Sequence, residues 1–222
     1  MTVDKVEGLR ALERAGIHVA RCSYVDSAEN AIAFATRRTA DDERFIAISL
    51  RAVSASQPEP EDGSLASETA VRRAFARLVA QIPATRILAQ IEVERGTDVT
   101  VHGCTDERGR KFITLRGRTH GSEQPMPLDA ERTRRLVESF MGFGHKPRKA
   151  TQTMLEHALL DVAAFFERSG IERFTIDPMR LHERSYSVLD ATMSAPRPLH
   201  VKPRLEPDAH DRKGHYTPSG RQ

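Results

Sequence analysis

Tryptophan is absent from this chain and cysteine nearly so, with only Cys22 and Cys104 among 222 residues. Two scattered thiols are too few for a zinc site or a disulfide framework, and they predict a cytoplasmic protein with reduced cysteines. Aromatic residues are also scarce, at 5%. With so few rings to stack bases, the composition argues against a nucleic-acid-binding protein. No stretch approaches the roughly 20 consecutive apolar residues that cross a bilayer. The opening MTVDKVEGLRALERAG is charged and helical, without the apolar core of a signal peptide. Nor does one charge sign prevail: 34 Lys and Arg face 31 Asp and Glu, for a net +3. Much of that excess lies in the tail, at Arg197, Lys202, Arg204, Arg212, Lys213 and Arg221. Basic tails can hold nucleic acid, but a solvated surface is the commoner reading.

What remains is a soluble globular composition, 39% hydrophobic and 29% charged, long enough to bury a full core. Val6, Leu9, Leu12 and Ala15 fall at helical spacing, and Gly16 ends that helix. Ile17 to Ala20 reads as a short strand. Ser27 is a plausible cap for a second helix carrying Ala31, Ala33, Phe34 and Ala35. A polar turn from Thr39 to Glu43 leads into a strand over Arg44 to Val53, so the start is α/β or α+β. Ser54 to Ser67 reads as a polar loop. Glu68 to Gln81 reads as an amphipathic helix with Val71, Phe75, Leu78 and Val79 on one stripe. Strands over Arg86–Val93, Thr97–Cys104 and Lys111–Leu115 predict a meander within one antiparallel sheet. Arg116 to Pro127 is a second polar loop. Leu136, Val137 and Phe140 mark a short helix, Gly142 to Lys149 a basic loop, and Thr151 to Glu167 a long helix. After Pro196 the chain is rich in Pro, His and charge, and too poor in apolar residues to pack.

The stretch IERFTIDPMRLHERSYSVLD, Ile171 to Asp190, predicts a β-hairpin. Its first strand ends at Phe174-Thr175-Ile176, followed by Asp177-Pro178 and a polar turn, and Tyr186 to Leu189 returns to Asp190. Two carboxylates at such strand ends can hold a hard divalent cation of the kind that travels with nucleotide phosphates. They can equally be turn caps, because Asp before Pro is ordinary turn chemistry.

With its elements in this order, the chain resembles the ATP-grasp domain of the NDP-forming acyl-CoA synthetases, relatives of the succinyl-CoA synthetase β subunit. LERAGIHV followed by VDSAENAIAFA is similar to the family's opening helix, its "GIPV" strand and its "SAEEA" helix. Leu50 to Ser54, LRAVS, resembles the "LKAVS" strand. ILAQIEVERGTDVTVHGCTD resembles the hinge strand and the "GVELIVGVTRD" after it. Met126-Pro127-Leu128 is similar to "APL", and IERFTIDPM with VLDATM to "ELDINPL" with "ALDAR". The likeness runs from about residue 5 to residue 195.

The resemblance implies an α+β ATP-grasp fold, two α+β subdomains with a nucleotide cleft between them. Residues 1–87 would hold the N-terminal helix and subdomain 1, residues 88–195 subdomain 2, and residues 196–222 a disordered tail. It implies ATP or ADP and Mg2+ as cofactors, with a CoA-binding synthetase subunit as partner. Gln90, Ile91, Glu92 and Val93 match the strand that presents backbone groups to adenine, and they also suit an ordinary core strand. Asp98 matches an acidic ribose contact. Arg51 matches the catalytic Lys that reaches the phosphates, with the charge kept and the geometry changed. Asp177 replaces a metal-binding Asn, and Asp190 matches the second metal ligand. Departures accompany these matches. The family's "HKSDVGGV" loop is replaced by QPEPEDGSLAS, with only Gly63 left of the glycine pair. Its "FGLGGVFVE" loop is replaced by LRGRTHGSEQPMP, where Gly117 and Gly121 survive, Glu123 is a possible stand-in for the acidic residue, and Arg116, Arg118 and His120 offer cations. Tight glycine loops let backbone amides approach phosphate. Their loss leaves two expectations open: a Mg-dependent synthetase subunit, or a degenerate, non-catalytic binding or regulatory subunit.

Overall fold

The computed structural model describes residues 3–38, 43–53, 61–81, 86–117, 121–141 and 149–194. The expected tail over residues 196–222, most of the basic loop before Lys149, and Arg118 and His120 lie outside them. In chain order the elements are α1 (Lys5–Arg14), β1 (Cys22–Val25), α2 (Ala28–Ala35), β2 (Thr36–Arg38), β3 (Glu43–Phe45), β4 (Ile48–Val53), β5 (Glu61–Leu65) and α3 (Glu68–Gln81). There follow β6 (Arg86–Ile91), β7 (Thr97–Thr105), β8 (Lys111–Arg116), β9 (Gly121–Pro125), α4 (Ala130–Met141), α5 (Lys149–Arg168), β10 (Arg173–Leu181), β11 (Tyr186–Val188) and β12 (Ala191–Ser194). The architecture is α+β.

Local chemistry sets the helix ends. Asp4 caps α1, its Oδ1 accepting from the Val6 and Glu7 amides at 3.1 and 3.3 Å. Ser27 caps α2 through the Asn30 amide at 3.1 Å. Gly16 follows α1 with φ 86°, a left-handed position that glycine takes without strain.

The strands form two main antiparallel sheets. The smaller runs β1-β6-β4-β5, and the larger β11-β10-β7-β8-β9 with β12 also on β10; β2 and β3 make a separate ribbon. Each sheet has its own core. On the smaller, Ile48, Leu50, Ala52, Ile87 and Ala89 pack against Ala31 and Ala35 of α2 and Val71, Ala74 and Leu78 of α3. Val79, expected on the α3 stripe, points outward at 46% exposure. On the larger sheet, Val99, Val101, Ile113, Leu115, Phe174 and Ile176 pack beneath α4 and α5, joined by Leu9 and Leu12 of α1. Each fully buried Leu or Phe of this kind stabilises the fold by about 1.5–3 kcal/mol. Phe174 meets Phe166 edge-on, with centroids 5.0 Å apart. The Phe174 ring lies against Gly103, where any Cβ would clash with it.

Several sequence expectations are corrected. Ile17–Ala20 is not a strand: only Val19 makes an isolated parallel bridge, to Val188. The strand expected over Arg44–Val53 is two, with β3 pairing β2 and β4 pairing β5 and β6. The first polar loop contains β5 and the second contains β9, because edge strands can be polar on most of their surface. β6 does not continue into a meander with β7 and β8, since it pairs with β1 and β4. The chain changes sheet between Ile91 and Thr97. Finally, Asp177-Pro178 is not the hairpin turn. β10 runs through it to Leu181, and the His182 amide closes the turn onto the Ser185 carbonyl at 2.8 Å.

Candidate functional site

The larger sheet buries one face and leaves the other open. Alternation along β7 puts Val99, Val101 and Gly103 in the core and Asp98, Thr100, His102 and Cys104 on the open face. Register then sets His102 beside Thr175 of β10 and Thr114 of β8. His102 Nδ1 lies 2.9 Å from Thr175 Oγ1. Burial, then the Arg116 guanidinium, holds this imidazole below its ordinary pKa range, with Asp177 pulling the other way.

Asp177 sits where the β10–β7 register shifts, between Ile176 and Met179. Such irregularities re-aim side chains next to functional sites. Its carboxylate is exposed and accepts from Thr100 Oγ1 at 2.9 Å. Its amide donates to the Asp190 carbonyl at 3.1 Å, so the two aspartates sit side by side along the backbone.

The Asp190 carboxylate turns toward the smaller sheet. Arg51 lies on the face of β4 opposite its helices, and its Nη1 meets Asp190 Oδ2 at 3.0 Å. Lys5 Nζ, from the first turn of α1, reaches the same oxygen at 3.0 Å. The three side chains are only 12–17% exposed. Asp190 Oδ1 is buried and, among the described residues, the sole buried side-chain nitrogen or oxygen without a hydrogen-bond partner. Gln90 ties the same seam from β6, its Nε2 donating to the Leu189 carbonyl at 2.6 Å. Cys22 lies close by, and burial pushes its thiol pKa up.

At the other end of the seam, Arg180 of β10 forms a two-point pair with Asp98: Nε to Oδ1 at 2.8 Å and Nη2 to Oδ2 at 2.9 Å. These bonds, opposed by partial burial, raise the guanidinium pKa further. The remaining nitrogen, Nη1, donates to the Val93 carbonyl at 3.2 Å. Gly96 makes the arrangement possible. A Cβ there would sit 2.9 Å from Arg180 Cγ and run into the Leu181 carbonyl oxygen, a contact no side chain tolerates.

The sequence-derived residues therefore fall into two groups. Arg51, Gln90 and Asp190 gather at one end, with Asp177 joined to them through the backbone. Glu92, Val93 and Asp98 gather at the other, and Ile91 is a strand residue whose amide donates to the Arg21 carbonyl at 2.9 Å. Sequence reasoning missed Lys5 and Arg180. Arg180 was hidden by placing a turn at Asp177-Pro178; a strand continued through Met179-Arg180-Leu181 alternates buried, half-buried, buried and would have exposed it.

Could these residues hold a divalent ion? The orphaned Asp190 Oδ1 and the neighbouring Asp177 supply hard oxygen donors. Among the described residues, no three His, Cys, Asp or Glu side chains cluster as a self-sufficient metal cage. One or two carboxylates can hold Mg2+ when substrate phosphates complete its coordination.

Comparison with solved structures identifies the fold. The dinucleotide-forming acetyl-coenzyme A synthetase 1 of Ca. Korarchaeum cryptofilum, in complex with coenzyme A and Ca-AMPCP, superimposes with a TM-score of 0.73 at 16% identity. The match covers 88% of this chain and 93% of that one. A second structure of the same synthetase, with coenzyme A and Mg-AMPPCP and its phosphohistidine segment pointing towards the nucleotide binding site, gives 0.68 at 15% identity over 88% and 93%. PH1788 from Pyrococcus horikoshii gives 0.68 at 10% identity over 86% and 90%. The chain thus has the ATP-grasp fold, in the form found in the acetyl-coenzyme A synthetase. No protein-family model matches it, and no curated protein does. No helix among the described residues is long and apolar enough to cross a membrane.

Proposed function

We propose that this chain is the nucleotide-binding, β-type subunit of an NDP-forming acyl-CoA synthetase, working with a separate CoA-binding subunit. The observation that carries the proposal is the meeting of Arg51 and Asp190 across the seam between the sheets, with Asp190 Oδ1 left unpartnered. Arg51 is the cation that would shift to the nucleotide phosphates, while Asp190 and Asp177 would hold Mg2+. Bound there, the ion would neutralise charge on the transferring phosphoryl group, the main requirement of such transfers. Glu92 and Val93 border the base, Asp98 the ribose, and Gln90 fixes the strand that carries them. Lys5 holds the Asp190 carboxylate beside Arg51 when no nucleotide is present. The cytoplasm is the compartment in which such a subunit would work.

A second reading has its own support. Arg51 is paired with the very carboxylate that would take the metal, and polar segments stand where glycine-rich phosphate loops would be. A non-catalytic ATP-grasp subunit that binds or regulates a partner would keep these pairs closed. Calorimetry with ADP and ATP in the presence and absence of Mg2+ tests the first reading. Mg-dependent binding by the wild type, abolished in Asp177→Ala/Asp190→Ala, is the expected result. A folded wild type that binds neither nucleotide overturns it. Binding without turnover in the presence of a CoA-binding subunit selects the second reading.

A further inference from the structure

Ser64 is, among the described residues, the only non-glycine residue with a positive φ, at 54°. In that left-handed region a Cβ crowds the following carbonyl oxygen, a cost that glycine escapes. Gly63 stands directly before it, yet its own φ is not positive. A Cβ on Gly63 would meet nothing within 4 Å, so no close approach calls for a glycine there. The strained conformation thus falls one position away from the residue that would take it freely. In the pairing of β4 with β5, Ile48 faces Leu65 and Leu50 faces Asp62, so Gly63 and Ser64 together oppose Ser49. An extra residue of this kind is a β-bulge, and bulges re-aim side chains.

The Ser64 side chain is aimed at Glu92. Its Oγ donates to Glu92 Oε2 at 2.9 Å, a bond strengthened by the charge of its acceptor. Both ends are anchored from behind. The Glu92 amide donates to the Ala47 carbonyl at 2.9 Å, and Leu65, next to Ser64, is buried in the core of the smaller sheet. One ordinary form of bulge places a glycine first, in the left-handed conformation. Gly63-Ser64 has the sequence for that form, and the structure has the left-handed residue second. Moving that conformation back to Gly63 would relieve Ser64 and turn its hydroxyl off Glu92, with Asp62 and Leu65 still facing β4. The bond to Glu92 is what favours the strained arrangement.

We propose that the Gly63-Ser64 bulge is a two-state switch set by the Glu92 side chain. Bonded to Glu92, it holds its left-handed residue at Ser64; released, it moves that conformation to Gly63. Glu92 also lines a cleft of about 540 Å³, with Ile46, Ala47, Val93 and Arg180. A donor group entering that cleft competes with Ser64 for the carboxylate, so β5 responds to its filling. The inference stands whatever the cleft takes, because Glu92→Ala mimics the loss of the carboxylate. Crystal structures of the full chain read φ at residues 63 and 64 directly, and both substituted side chains are exposed, so the variants should fold. Wild type and Glu92→Gln, whose amide oxygen still accepts from Ser64, are expected to keep the positive φ at Ser64. Glu92→Ala should place it at Gly63 instead. A Glu92→Ala structure with φ still positive at Ser64 overturns the proposal. Urea unfolding supplies a second measurement. Glu92→Ala should raise the unfolding constant about threefold, the effect of one modest hydrogen bond, and leave it unmoved in a Ser64→Ala background. Equal rises in the two backgrounds overturn the coupling between the two side chains.

Discussion

Two ion clusters are built on opposite plans: the Asp190 cluster joins the two sheets through Arg51, whereas Arg180 and Asp98 pair across neighbouring strands of the larger sheet. At the Asp190 end, one carboxylate faces two cations, all three side chains are nearly buried, and one oxygen has no partner. At the Arg180 end, one guanidinium faces one carboxylate in a matched fork, and both are much more open to solvent, at 23% and 45% exposure. A nearly buried cluster is costly to break. An exposed, neutral fork is cheap to break and contributes shape and hydrogen-bond polarity. The two therefore differ in what breaking each should cost.

Mutations at each end should separate these roles. The largest effect is expected for Asp190→Ala, which removes the carboxylate that Arg51 and Lys5 share in a low-exposure site. Removing one partner of a buried pair costs about 3–5 kcal/mol. The slight exposure here puts the expected loss at the lower end, read from urea unfolding. Adding Arg51→Met to that variant should recover part of the loss; a double variant no more stable than the single would mean that the loss does not come from the broken Arg51–Asp190 pair. Next comes Gly96→Ala, whose methyl would push the hinge off β10. Overpacking of this sort costs about 1–3 kcal/mol, and nucleotide affinity should fall with it. Arg180→Met should cost under about 1 kcal/mol in stability, because a solvent-screened pair contributes little. A larger loss would mean that this end carries structural load as well.

The smallest effect concerns pH. The folded-state pKa of His102 lies below 6.5. The unfolded chain therefore takes up the proton first as pH falls, and stability drops below pH 6.5. His102→Gln should remove that component from a pH series of unfolding midpoints. An unchanged slope would place the responsible group elsewhere.

How much of this was legible in the sequence depends on range. Helices α1, α3 and α5 were readable because their apolar residues repeat at three and four positions, a signal contained in one segment. β5 and β9 were not, since edge strands such as Glu61–Leu65 and Gly121–Pro125 have no two-residue apolar alternation to detect. Asp190 and Arg51 were singled out by resemblance, but their contact spans 139 positions and no local pattern encodes it. Lys5 looked like any charged first-turn residue. Arg180 was lost to a misplaced turn, and with it the contact to the Val93 carbonyl.

The route of the chain between the sheets has a mechanical consequence. The polypeptide leaves the α1 side after Ala20, builds β1 to β6, and returns through residues 92–96 to β7. Exit and return lie side by side, joined by the Ile91 amide on the Arg21 carbonyl. Topologically, the smaller sheet with its helices is an insertion entered and left through one narrow ribbon. A body attached that way swings like a door on a single hinge line. The Arg51–Asp190 contact, which joins the two sheets, is a latch on that line, and a ligand that unfastens it would set the angle at which the door rests.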